Sequence, residues 1–140
     1  MLKIGFTGTQ LGMTDIQKET LKNFLEVNKV LIQEVRHGDC MGADKQFHEI
    51  CEELSIPIII HPPIKDCKRV FCKNAINIMP PKDYITRNHD IVDNSDVLLG
   101  APKLAIEELR SGTWATIRYA KKKNILVNVF FNDGRIKLNF

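Results

Sequence analysis

An α/β fold built on a mostly parallel sheet is what this sequence predicts, and three observations carry the prediction. Apolar, β-favouring runs alternate with stretches of helical periodicity along the whole chain. One of those runs, "IPIIIH" at 56–61, is apolar at nearly every position, as parallel strands covered on both faces are. Every strand but the last is followed by small or polar residues, at the edge where an open parallel sheet gathers a ligand.

The elements follow in order. "LKIGF" (2–6) reads as the first strand, running into the glycine-rich loop "TGTQLG". Thr14 opens a capping box with Gln17. Behind it Ile16, Leu21, Phe24, Leu25 and Val27 make a helical stripe to about residue 28. "KVLIQEV" (29–35) is the second strand, ended by "HGDCMGAD" (37–44), and "ADKQFHEICEEL" (43–54) the second helix, with Phe47, Ile50, Cys51 and Leu54 on one face. "IPIIIH" is the third strand. Proline pairs bracket 62–82, which reads as a long surface connection with a short helix around 67–74. From Asp83 a third helix places Tyr84, Ile85, Ile91 and Val92 on its buried side. "DVLLGAP" (96–102) is the fourth strand, followed by an irregular "KLAIEELR", a helix over about 112–123, and a final strand "ILVNVFF" (125–131). "NDGR" turns the chain into a tail that adds a little extended structure. Right-handed crossovers between such strands give a Rossmann-like three-layer sandwich of about five strands, a single domain over 1–140.

Composition narrows the partners. With 44% hydrophobic and 26% charged residues, the chain is ordinary for a soluble globular domain. The net charge of +3 neither demands nor excludes nucleic acid. "KKKN" (121–124) follows a helical pattern, where lysines complement the negative helix end. Mild charge together with seven Phe, two Tyr and one Trp argues against an extended base-stacking groove. No stretch approaches the roughly 20 apolar residues of a membrane span, and the N-terminus lacks a signal-peptide core. The four cysteines form no CxxC pair, so a cytoplasmic protein with free thiols is expected. Neither His61 with Cys67 and Cys72, nor His37 with Asp39 and His61, has a regular metal-ligand spacing, and no metal or cofactor is assigned.

The turns after the strands converge on one crevice. They contribute Thr7, Gly8 and Thr9 from "TGTQ", and His37, Gly38, Asp39, Gly42, Ala43 and Asp44 from "HGDCMGAD". "HPP" adds His61 and Pro62, and "AP…SGTW" adds Ala101, Pro102, Ser111, Gly112, Thr113 and Trp114. The glycine spacing at 5, 8 and 12 departs from the dinucleotide fingerprint. The glycines of "GDCMGAD", however, permit close backbone approach ahead of a helix whose first amides are unpaired. "SGTW" repeats that arrangement: Ser111 or Thr113 either caps a helix or holds a phosphate oxygen, and Trp114 either packs in the core or stacks on a base. Asp39 and Asp44 suit a helix start, but carboxylates there repel phosphate and so face hydroxyls, as acidic groups grip a ribose. Arg87 supplies a cation for phosphate. His48 and His89 fall in helices and read as structural or solvated. Amide cradle, carboxylate and arginine together suggest a nucleotide.

The set "GFTGTQLGMT", "HGDCMGAD", "HPP", "YITRNHDIVDNSDVLLGAP" and "SGTWATIRYAKK" resembles the SLOG superfamily over about residues 3–131. That group includes the Lonely-guy phosphoribohydrolases, the molybdenum-cofactor carrier proteins and DNA-processing protein A. The resemblance implies a Rossmann-like fold that binds nucleotides or nucleotide-derived ligands, commonly as a homodimer. In the phosphoribohydrolases an Arg-Lys pair precedes a strand ending in P-G-G-x-G-T-x-x-E. Here the pair is Arg87-Asn88, residues 103–110 are inserted after Ala101-Pro102, and Thr116 stands where the glutamate belongs. Only Gly112 and Thr113 carry over. The expectation is a sensor, carrier or sequestering protein for a nucleoside phosphate, an ADP-ribose-like ligand or a cyclic nucleotide. The alternative is an N-glycosidic hydrolase of nucleotides whose carboxylate is drawn from Asp39, Asp44, Glu107 or Glu108.

Overall fold

Strand β1 (Leu2–Gly8) shows why a sheet sits at the centre of this chain: its side chains alternate between two separate cores. Ile4 and Phe6 enter one core, whereas Gly5 faces the other, where a Cβ would strike Ser95 Oγ. The computed structural model, which describes residues 1–140, continues through α1 (Asp15–Asn28), β2 (Ile32–His37), α2 (Ala43–Glu53), β3 (Ile58–Ile60), β4 (Asn77–Ile78), α3 (Tyr84–Asp93), β5 (Val97–Ala101), α4 (Gly112–Lys122), β6 (Leu126–Phe130) and β7 (Ile136–Lys137). The sheet order is β4-β3-β2-β1-β5-β6-β7. All neighbours are parallel except β6 and β7.

Two cores make the sandwich three layers deep. On one face, α1 and α2 bring Leu21, Leu25, Phe47 and Cys51 against Ile4, Phe6, Val35, Ile58 and Leu99, with Phe6 and Phe47 stacked at 4.1 Å. On the other, α3 and α4 bring Ile91, Val92, Trp114 and Ile117 against Leu98, Val127 and Val129. The Thr14 capping box forms as its sequence predicts: Thr14 Oγ1 accepts the Gln17 amide and Gln17 Oε1 accepts the Thr14 amide. Gln17 then extends its Nε2 to the carbonyls of Pro102 and Phe130, pinning the start of α1 to the ends of β5 and β6.

The sheet has seven strands where about five are expected. The two additions, β4 and β7, are two-residue edge strands too short to leave an alternating pattern. The second strand starts at Ile32, because Lys29–Leu31 form a 3₁₀ turn closing α1 and leave Val30 exposed. The helix expected around 67–74 reduces to one 3₁₀ turn, Asp66–Lys68. On α3, Ile91 and Val92 are buried but Ile85 is 69% exposed.

Residues 66–72 are a strap rather than a free connection. Cys40 and Arg69 form an antiparallel bridge. The Met41 amide donates to the Lys68 carbonyl, and the Val70 amide to that of Asp39. The turn after β2 therefore carries a piece of chain from 30 residues downstream along the sheet edge.

Candidate functional site

The carboxyl ends of β1, β2 and β5 open into one cavity of about 500 Å³. β1 and its loop supply Thr7, Gly8, Thr9, Gln10 and Leu11. The turn after β2 and the start of α2 add Gly38, Cys40 and Asp44, and the strap adds Lys68. From α3 come Tyr84, Arg87 and Asn88, and from the insertion and the start of α4 come Lys103, Glu108, Arg110, Ser111, Gly112 and Thr113. Four cationic side chains thus face two carboxylates, which favours an anionic ligand.

Arg87 is buried and organises one wall. Its Nη1 donates to the carbonyls of Gly38 and His61, its Nε to Asn88 Oδ1 at 2.8 Å, and its Nη2 to Cys40 Sγ at 3.6 Å. The guanidinium therefore offers the cavity its field more than a free hydrogen-bonding fork. A Cβ on Gly38 would collide with that guanidinium, and one on Gly42, whose φ is +83°, would collide with the Gln10 main chain. The bare turn makes room for the protein's own groups. Gly112 differs: a Cβ there would meet nothing within 4 Å, and its φ lies outside the left-handed region. The Gly112 and Thr113 amides, at the start of α4, have no partner within the helix.

The two aspartates part company. Asp39, at φ +57° and fully buried, pairs with Arg69 at 2.8 Å and accepts the Cys72 amide at 2.9 Å. It holds the strap and does not line the cavity. Asp44 does line it, with Oδ2 accepting the Cys40 amide at 3.2 Å. Burial pushes its carboxyl up to about 6, against the opposing pull of Arg87. Of the other acids, Glu108 reaches the cavity, whereas Glu107 pairs with Arg118 at 3.1 Å outside it.

Several expected residues stand behind the walls. His37 and His61 are buried, and His61 Nε2 lies 3.0 Å from Arg36 Nη1. Ala101 accepts the Thr9 amide, Pro102 accepts Gln17, and Gly42, Ala43 and Pro62 shape backbone without lining the cavity. Ser111 caps α4 through the Trp114 amide at 3.2 Å. Trp114 itself is 1% exposed and packs beside Phe140 in the core rather than lining the cavity. Thr116 is buried and bonds back to the Gly112 carbonyl, so no acid occupies the glutamate position. Sequence reasoning missed Gln10, Lys68, Tyr84, Lys103 and Arg110. Lys68 and the two insertion residues sit in segments without periodicity, which left no spacing signal.

His37, His48 and Cys72 bring possible metal-ligating atoms within 4.8 Å of one another. The hydrogen bonds of the two histidines leave neither ring a lone pair for an ion. His37 Nδ1 accepts the Asp39 amide at 2.9 Å, so its proton lies on Nε2 and is donated to His48 Nδ1 at 2.8 Å. His48 Nε2 in turn donates to the Lys73 carbonyl at 2.7 Å. This donor set does not fit a metal; it is a relay that braces the strap's end.

A Rossmann-like sandwich with a cationic cleft at the carboxyl ends of its strands is the class that the geometry defines. No family model and no curated protein sequence matches the chain. Among solved structures, TM1055, a target of the Northeast Structural Genomics Consortium, is similar with a TM-score of 0.64 at 17% identity, over 91% of this chain and 72% of that one. DNA processing protein A from Helicobacter pylori, described for its single-stranded DNA binding mode, is similar with a TM-score of 0.62 at 20% identity, over 91% of this chain and 64% of its own. The chain thus spans less than two thirds of that second protein. DNA-processing protein A is among the proteins of the SLOG superfamily, so the fold is the one that the sequence resemblance implies. No helix is long and apolar enough to cross a membrane.

Proposed function

We propose that this protein binds a nucleotide or nucleotide-derived ligand as a sensor, carrier or sequestering protein, with a phosphate on the start of α4. The observation that carries the reading is Gly112. Neither packing nor backbone conformation requires glycine there, so the open space suits a group that approaches bare amides at the positive helix end. Gly112→Ala tests this without disturbing the fold. Its melting temperature should stay level or rise, because alanine is the better helix former. Binding of AMP, ADP-ribose and cyclic dinucleotides, read by calorimetry, should weaken about tenfold or more. Undiminished binding of the whole panel would move the phosphate elsewhere. The homodimer implied by the resemblance belongs to the same proposal.

One observation favours N-glycosidic hydrolysis as a second reading. Asp44 titrates near 6 on the cavity wall, a range suited to proton transfer. Incubation with nucleoside monophosphates would then release free base, and Asp44→Asn would abolish the release. The Helicobacter pylori neighbour favours a third reading, single-stranded DNA, for which a short oligonucleotide that outcompetes every mononucleotide is the test.

A further inference from the structure

We infer that Asp44 is the hydroxyl anchor of the cleft, selecting a ribose over a 2′-deoxyribose; this rests on the nucleotide-binding reading above. Three acidic side chains are buried in this molecule: Glu34, Asp39 and Asp44. Glu34 meets the Arg36 guanidinium at 2.6 Å and Asp39 meets Arg69 at 2.8 Å. Asp44, 8% exposed, forms no ion pair; the Cys40 and Gly38 amides and the charge of nearby Arg87 favour its ionised form, and its two oxygens keep acceptor capacity on the cavity wall.

A buried carboxylate without an ion pair is costly unless enough donors reach it. Here the missing donors face the cavity, so they belong to the ligand. The ligand's phosphate is a poor neighbour for Asp44, since like charges repel. Seating phosphate on α4 leaves the ligand's neutral part for Asp44, and a carboxylate accepts two hydroxyl protons of a vicinal diol. A ribose phosphate carries both features: an anionic end for Lys68, Lys103 and Arg110 and a diol for the one buried acid that forms no ion pair. Replacing the 2′-hydroxyl by hydrogen leaves part of that acceptor capacity unmet.

The test uses ribose 5-phosphate and 2-deoxyribose 5-phosphate as probes, which carry no base, with binding followed through the amide resonances of Gly112 and Thr113. Wild type is expected to bind the ribose probe about tenfold more tightly. In Asp44→Asn, whose amide oxygen still accepts from Cys40, both probes should bind alike while still shifting the α4 amides. Equal binding of both probes to wild type overturns the anchor and leaves the phosphate seat standing. An Asp44→Asn variant that keeps the preference also overturns it. If neither probe moves the Gly112 and Thr113 amides, the phosphate seat falls and the anchor falls with it.

Discussion

Asp44 and His61 make opposite demands on pH, and their opposition can be measured. Burial lifts the Asp44 carboxyl from 3.8 to about 6, so between those values the folded chain binds more protons than the unfolded one. Stability from this group therefore falls as pH rises through that window, leaving a penalty of roughly 3 kcal/mol above it. Asp44→Asn should remove the penalty at pH 7.5 and give no gain near pH 3.5, as read by urea unfolding. His61 runs the other way: burial, with Arg36 beside it, lowers its pKa from 6.5 to about 4. Its contribution is present above pH 6.5 and is lost as pH falls toward 4; buried His37, also shifted down, adds to that loss. Without Asp44 to offset them, the variant should lose stability more steeply than wild type as pH falls from 6.5 to 4. The bareness of "HGDCMGAD" was legible in the sequence, but its cause was not. Gly38 and Gly42 clear space for Arg87 and for the Gln10 main chain, contacts made with residues 49 and 32 positions away that no local pattern records.

The helices were the most legible elements, because cap and stripe are local: Thr14 with Gln17, and Leu21 with Leu25, lie within a turn or so of each other. The strap was the least legible. Its order comes from one buried aspartate in the left-handed region and from backbone bonds to a turn some 30 residues earlier. Asp39→Ala tests that account. Removing it strands Arg69, 16% exposed in its side chain, and leaves the Cys72 amide unpaired, so about 3 kcal/mol or more of stability should be lost. Hydrogen exchange should accelerate across 66–72 while α4 stays protected. Lys68, which holds Gln10 Oε1 at 3.0 Å beside the cavity, would lose its anchorage, and nucleotide binding should weaken without being abolished.

At the scale of the molecule, alternation alone gave the layers and the crevice. Four sequence-distant turns were expected at one edge, and those after β1, β2 and β5 do line one cavity, whereas His61 and Pro62 after β3 stand behind its wall. Strand order was beyond any local signal. It places β1 in the middle of the sheet, with β2 on one side and β5 on the other. That central position shapes how the molecule must form. One edge of β1 is satisfied by Ile32–His37 after a single helix, but the other edge waits for Val97–Ala101. Until the chain reaches that point, the central strand of the finished protein carries an open row of hydrogen-bonding groups beside the buried Ile4 and Phe6. Closing a loop of roughly 90 residues precedes any gain from that pairing, which makes folding slow and exposes the half-built sheet to the wrong strand.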